Sequence, residues 1–398
     1  MSTAAGPDLD VLIVGGGLTG CALALALART SRAVGLVETQ LPVPSAASFD
    51  ERHLGLSLAS VRALEALGVW QRVREATQAI TSIHISSQGE FGSARLDASA
   101  HGLAEFGRVC PARVLGQALN EAVAALPALE LLRPAQLLGA EHSADSVCAR
   151  LAQGGASLTL RTRLLVGADG THSLVRQLAG LTAISHDYGQ TAVVSNLESS
   201  RPHAGQACER LTRDGPLALL PLPGDRRCGL VWTQSHADAK RRLALDEQQF
   251  ADELQEALGW RLGRIQRIGR RQGWPLARVQ TLPSASPPAR MVLIGNAAQT
   301  LHPMAAQGFN LGLRDALGLA AAISAQSDAG AAATLTSFSV ARSADRARTL
   351  AFSHGLVEMT GLRSLPAGWM RSAGLVALDA LPALKDRLVQ FGTGFGRG

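Results

Sequence analysis

Lysine is almost missing from this sequence: Lys240 and Lys385 are its only two, and arginine supplies the other 36 of 38 basic side chains. Against 32 acidic residues they leave a net charge of +6 that is scattered, with no basic run and no nucleic-acid-binding motif, so nucleic acid is not an expected partner. Cysteine is sparse as well. Cys21, Cys110, Cys148, Cys208 and Cys228 are odd in number, far apart and never in a C-x-x-C pair, which argues against a disulfide framework or a zinc site and fits a reducing compartment. The ten histidines show no metal-ligand spacing. No stretch approaches the roughly 20 apolar residues of a membrane span, and Met1 to Asp10 lacks the basic and apolar regions of a secretory signal. The sequence therefore predicts a cytoplasmic protein, with at most peripheral contact at the inner face of a bacterial membrane.

What is present describes an enzyme-sized body. The 398 residues are 46% hydrophobic and 18% charged, which excludes disorder and predicts two or more units sharing a sizeable core. Asp10 to Val14 is an apolar, β-branched run; Gly15-Gly-Gly-Leu-Thr-Gly20 follows, then a helical stretch to about Thr30 and a second strand from Ala33 to Glu38. In this β-α-β order Gly15 allows a tight turn, Gly17 lets backbone N–H groups approach a pyrophosphate, and Gly20 allows close helix-to-strand packing. Leu18 and Thr19 open the helix whose positive end favours the anion. Glu38, about twenty residues on, is placed to accept from ribose hydroxyls, and a carboxylate there favours FAD or NAD over NADP.

Two further glycine loops lie far from the first. Leu164-Leu-Val-Gly-Ala-Asp-Gly-Thr-His-Ser-Leu-Val-Arg176 is a strand opening into an Asp-Gly turn, and Met291 to Asp315 is a strand-to-loop-to-helix transition. Three such loops over nearly 300 residues imply one extended ligand, more than an NAD-only domain requires. No second GxGxxG and no Cys-x4-Cys are present, so a separate nicotinamide domain and the disulfide reductases are excluded.

The three segments together resemble the FAD-dependent aromatic hydroxylases of the p-hydroxybenzoate hydroxylase type, marked by the N-terminal GxGxxG, a central GADG and a C-terminal GD motif. The resemblance covers nearly the whole chain. Gly295-Asn-Ala-Ala-Gln-Thr-Leu-His-Pro303 and Gln307-Gly-Phe-Asn-Leu-Gly-Leu-Arg-Asp315 are most similar to the ubiquinone-biosynthesis hydroxylases, in particular the 2-polyprenyl-6-methoxyphenol hydroxylases. Phe49-Asp-Glu-Arg52 and Gly374 to Lys385 fit the same group. The resemblance implies that Gly295 and Asn296 face the ribityl chain of FAD, with Asn296 standing where the wider family has Asp and so losing a charge-assisted bond. The loop Gln307, Gly308, Phe309 and Asn310 reads as preceding a helical run through Leu319, and the resemblance places that positive helix end against the flavin's carbonyl edge and Arg52, Arg113 and Gln117 among the cofactor contacts. For Arg113 and Gln117 a solvated helix face is the alternative. Asp169 and Gly170 match the Asp-Gly pair, where an N-cap role and a cofactor-loop role are chemically alike. His302 and Pro303 match the family's His-Pro, Pro303 stiffening the loop over the flavin and His302 serving as a structural hydrogen-bonder or a proton donor. Ala306 stands where glycine is expected. NAD(P)H would act as a transient reductant, and no side chain is marked as a required base.

The expected fold is α/β: a Rossmann-like FAD-binding domain of the p-hydroxybenzoate hydroxylase type, an antiparallel-sheet substrate domain and C-terminal helices. Residues 1–180 and 289–347 would form the FAD-binding domain, with about 75–100 joining the substrate domain at 181–288. There the runs Thr191 to Leu197, Pro216 to Leu222 and Cys228 to Thr233 read as strands and Leu245 to Leu258 as one helix. Residues 348–398 would be a helical tail broken near Pro366 and Pro382, packing on its own core or lying on a membrane or partner. The implied activity is hydroxylation of a prenylated phenol with NAD(P)H and O2, alongside other ubiquinone-biosynthesis proteins. A hydroxylase of a small soluble aromatic and a non-catalytic scaffold subunit remain as alternatives.

Overall fold

Apolar runs without alternation predict strands covered on both faces, and β1 (Leu9–Val14) and β2 (Val34–Val37) are such strands. A computed structural model of the chain describes residues 7–42, 49–282, 289–300, 307–361 and 365–395. β1 pairs in parallel with β2 and with β11 (Ala156–Gly167), and β2 pairs in parallel with β8 (Leu129–Leu132). β11 also pairs in parallel with β18 (Met291–Leu293) and antiparallel with β10 (Val147–Gln153), which pairs with β9 (Gln136–His142) to complete a seven-stranded sheet. Helices α1 (Leu18–Leu27), α4 (Ala112–Ala124) and α8 (Gln307–Ser324) cover one face, where Val11 and Ile13 are buried with Leu23, Leu119 and Leu313. The short α5 (Leu174–Leu178) closes the other, Val175 packing with Leu12 and Leu165.

A second, nine-stranded sheet runs β19 (Gln299–Thr300), β17 (Gln272–Thr281), β12 (Ala183–Ser199), β15 (Arg227–Ser235), β14 (Pro216–Pro221), β13 (Gln206–Leu211), β5 (Ser82–Ser87) and β6 (Ser93–Asp97), with β16 (Ile265–Ile268) on β12. Its pairings are antiparallel except β13 with β5, which run parallel because β5 and β6 are a hairpin from the first third of the chain. Two helices, not the one expected, cover its outer face: α6 (His236–Leu243) and α7 (Glu247–Leu258). Ser235 opens α6 by accepting from Asp238 N at 3.1 Å, a Ser-x-x-Asp capping pattern that the sequence carries. A small sheet of β3 (His53–Ser57), β7 (Gly107–Pro111) and β4 (Gln78–Ile80), with α2 (Leu58–Ala66) and α3 (Trp70–Val73), bridges the two layers: β3 contacts α8 and β4 contacts β14.

The tail departs from expectation at its start. α9 (Ala332–Gly361) runs through residues 347 and 348, since Arg346-Ala-Arg-Thr-Leu350 holds nothing that stops a helix. α10 (Leu365–Ala380) and α11 (Pro382–Thr393) follow, Pro382 taking the first helical position where its missing N–H costs nothing. Both helices pack on the chain itself. Arg371 pairs with Glu90, Asp379 accepts from Arg95 N at 3.1 Å, and Val389 joins Leu96, Ala98 and Phe106 in a small cluster. Trp369 and Met370 turn outward, 67% and 75% exposed, and Trp369 meets Phe91 edge-on at 5.4 Å. No helix among the described residues is long and apolar enough to cross a membrane.

Candidate active site

The first glycine turn is held by contacts that exclude side chains. Gly15 has φ +106°, and a Cβ there would lie 2.5 Å from the Ala168 carbonyl; one at Gly20 would lie 1.9 Å from the Gly15 carbonyl. Gly17, by contrast, has open space around its Cβ position and caps α1 with no side-chain hydrogen bond, so the first amides of α1 face outward for an anion. Leu18 turns into the core, and Thr19 wedges between α1 and α8, its hydroxyl 3.0 Å from a Cβ at Gly295 and 2.7 Å from one at Gly312. Beneath the turn the Cys21 thiol donates to the Gly16 carbonyl at 3.1 Å, and burial pushes it up to about 12, leaving it an inert apolar group. Glu38 accepts from Gly16 N at 2.7 Å, Gln40 N at 2.9 Å and the Thr39 hydroxyl at 3.1 Å. Three donors leave about one of a carboxylate's roughly four acceptor positions for a ligand hydroxyl.

The second and third loops are stitched together. The N-cap of α5 is Ser173, whose hydroxyl accepts from Arg176 N at 3.0 Å; Asp169 braces the same turn instead, accepting from the Ser173 hydroxyl at 2.5 Å, Leu174 N at 2.7 Å and Val175 N at 3.1 Å, with Gly170 at φ +81°. The buried Arg176 donates to the Thr171 carbonyl at 2.8 Å and across to the Ala297 carbonyl at 3.1 Å, and the hydroxyls of Thr171 and Thr300 meet at 2.9 Å. Gly295 turns at φ +57°, and Asn296 beside it is exposed.

Gln307, Gly308, Phe309 and Asn310 form the first turn of α8 itself, a correction to the expectation that they precede it. Gln307 is buried, Phe309 packs on the core, and Gly308 has open space at its Cβ position. Asn310 is also buried: its amide donates to the Gly55 carbonyl at 2.9 Å and accepts from Ser57 N at 3.0 Å, tying α8 to β3. Arg113 pairs with Glu51 at 3.0 Å and Gln117 donates to Glu121 at 2.9 Å along its own helix, while Arg52 is exposed where β3 begins. His302, Pro303 and Ala306 lie outside the described residues. Among the described residues no group of three or more His, Cys, Asp or Glu could hold a metal.

The residue that sequence reasoning passed over is Asp315. It is fully buried in α8, accepts from Gly295 N at 3.3 Å and the Gln299 amide at 3.1 Å, and pairs with Arg342 and Arg346 of α9, each at 3.0 Å. One carboxylate thus fixes the third loop to two helices. The available signal was a lone acid among Leu311, Leu313, Ala316 and Leu319.

These residues fit an extended dinucleotide cofactor: uncapped amides at α1, open space at Gly17 and Gly308, and an exposed amide at Asn296 lie on loops that are bonded to one another. With an antiparallel sheet joined to the third loop through β19, that architecture defines a flavoprotein of the aromatic-monooxygenase fold. The chain superimposes on p-nitrophenol 4-monooxygenase PnpA of Pseudomonas putida with a TM-score of 0.80 and 18% identity, covering 98% of each. It matches the anhydrotetracycline hydroxylase OxyS of Streptomyces rimosus with a TM-score of 0.71 and 22% identity, over 97% of this chain and 76% of that one. At such identities the likeness speaks for the fold alone. The FAD binding domain family model matches residues 8–353. The chain is 36% identical to ubiquinone hydroxylase UbiL of Rhodospirillum rubrum, over 97% of its own length and 89% of the relative's, and 34% identical to 3-demethoxyubiquinol 3-hydroxylase of Escherichia coli, over 77% of each. The chain belongs to the FAD-dependent monooxygenases of ubiquinone biosynthesis.

Proposed function

We propose that this enzyme uses NAD(P)H and O2 to hydroxylate a prenylated phenol of the 2-polyprenyl-6-methoxyphenol type. The observation that supports the reading is the bonding of the second glycine loop to the third through Arg176, the third loop being joined through β19 to a sheet whose open face is largely apolar. Bound FAD, once reduced, supplies the activated oxygen. The pyrophosphate would lie on the amides at Gly17, Leu18 and Thr19, with Glu38 on the adenosine ribose and Asn296 and Gly295 on the ribityl chain. Asp169 and Gly170 shape the loop beneath, and Arg52, Arg113 and Gln117 border the cofactor from the β3 and α4 side. The positive end of α8, from Gln307 to Asn310, favours negative charge on the flavin ring, and His302 and Pro303 precede it in the sequence. The apolar sheet face keeps water from the reacting ring and holds it in place.

The test is the visible spectrum of the purified protein with FAD, followed by NAD(P)H oxidation with and without 2-prenyl-6-methoxyphenol. A flavin band, substrate-accelerated oxidation and a product heavier by one oxygen atom are expected. Oxidation that the phenol does not accelerate, or faster coupled turnover of a tail-free phenol, would overturn the substrate assignment.

A further inference from the structure

The nine-stranded sheet has one packed face and one that looks back at the cofactor loops. On the packed face Cys208, Leu219, Leu230 and Trp232 are buried against Phe250 and Leu254 of α7. Register defines the other face. Ile85 lies opposite Glu209, Glu209 opposite Ala218, Ala218 opposite Val231, and Val231 opposite Val194, a straight row across five strands. All five are half-buried, whereas their neighbours Cys208, Leu217, Leu219, Trp232 and Val193 are buried. Asn196 shares the row's side of β12, two residues from Val194, and donates to the Phe49 and Glu51 carbonyls at 2.6 and 2.8 Å. This face is therefore the one turned towards β3 and the cofactor domain.

Glu209 is the only titratable group in that row. Arg210 beside it points the other way and donates to the Ala257 carbonyl of α7 at 2.8 Å. His84 lies opposite Cys208 and opposite Arg95, and Asp97 lies opposite Ser82, so the charged groups of β5 and β6 are on the packed face as well. β4, which touches β14, carries only Gln78, Ala79 and Ile80. Among the described residues the Glu209 carboxylate has no counter-charge and no hydrogen-bond donor, and burial pushes it up to about 7. A carboxyl so placed in an apolar wall lacks a partner that the fold does not supply.

We propose that Glu209 is a catalytic residue, the base that takes the phenolic proton of the substrate. The proposal rests on the phenol-hydroxylase reading above. The phenol O–H bond breaks, its proton forms an O–H bond on the Glu209 carboxylate, and the electron pair left on oxygen delocalises into the ring, making the ortho and para carbons better nucleophiles for oxygen transfer. The ring carbon that gained oxygen gives up its hydrogen as a proton to solvent, the C–H electron pair restoring the aromatic ring, and Glu209 returns its own proton to the phenolic oxygen. A carboxyl titrating near neutral pH suits both halves of the exchange.

The experiment uses the full-length, FAD-loaded protein and 2-prenyl-6-methoxyphenol. Without NAD(P)H, the ultraviolet band of bound phenolate is recorded against pH for the parent, Glu209→Gln and Glu209→Asp. The parent should generate phenolate as pH rises through about 7, and Glu209→Gln should bind the phenol without generating it, with kcat lowered roughly 10²- to 10⁴-fold and its acid limb gone. Glu209→Asp should restore part of both. The methyl ether of the substrate, which has no proton to give, provides a control that needs no variant: the parent should bind it and not hydroxylate it. Unchanged kcat and pH profile in Glu209→Gln, or efficient hydroxylation of the ether, would overturn the proposal. A parent enzyme that hydroxylates no phenol overturns the phenol reading instead, and the binding spectra still decide Glu209, because absence of the phenolate band in the parent refutes it.

Discussion

In the seven-stranded sheet β1 and β2 are buried on nearly every residue, on both faces, and even the glycines are in contact: a Cβ at Gly35 would lie 2.7 Å from Leu9. In the nine-stranded sheet burial alternates along most of β5 and β14, one side closed by α6 and α7 and the other half-open. The first sheet is an apolar platform whose polar work is done by backbone at its loop ends. The second presents side chains on a half-open face. Substitutions in the first should therefore unmake the cofactor site as a whole, and substitutions on the open face of the second should change chemistry while leaving the fold standing.

The sharpest break of that contrast would come from Gly20→Ala, whose Cβ has no room beside the Gly15 carbonyl. A loss of about 3 kcal/mol or more is expected, read as flavin lost on gel filtration and a lower melting temperature. Asp315→Asn leaves Arg342 and Arg346 facing one neutral amide, and about 3–5 kcal/mol should disappear from urea unfolding. Glu209→Gln should move the other way. The folded-state carboxyl is raised to about 7, so its penalty is absent below the unfolded value near 4.5 and complete above 7. The variant should thus be about 1–3 kcal/mol more stable than the parent at pH 8 and equal to it near pH 4, and equal stability at pH 8 would show that the open face carries no such strain. On the packed face Glu253 is the counter-example, held down to about 2 by Arg241 and then Arg242. Its contribution is present above about 4.5 and lost as pH falls through 2. Being partly exposed, Glu253→Gln should cost only about 1 kcal/mol at pH 7, with the difference closing in acid.

The parts legible in the sequence are those where one residue type meets one steric demand. Gly15, Gly20 and Gly170 sit where a positive φ or a carbonyl forbids a side chain, so the three loops and their strands stand out without knowledge of the fold. The parts not legible depend on where distant segments arrive. Gln206-Ala-Cys-Glu-Arg-Leu211 carries too short an alternation to say which side is open, and only pairing with β5, more than a hundred residues earlier, sets Glu209 in the apolar row. The same holds for Asp315, whose partners lie 27 and 31 residues on in another helix. The unbroken α9 shows a further limit, because the expected start of the tail at residue 348 falls inside one continuous helix. Ser235 and Asp238 did mark the start of α6 in a form that local sequence rules could have read.

The Asp315 cluster also fixes an order of events during synthesis. The loop at Gly295 is held by a carboxylate that needs Arg342 and Arg346, so the cofactor floor cannot settle until the ribosome has released the chain well past residue 346. All strands of the nine-stranded sheet except the two-residue β19 are translated before β18, and local antiparallel pairs such as β14 with β15 can form while the floor is still missing its last strand. The nine-stranded sheet is therefore the earlier structure, and a nascent chain stalled before α9 would hold its strands paired, still without the α10 and α11 contacts to β6, over a cofactor loop whose buried anion has nothing to answer it.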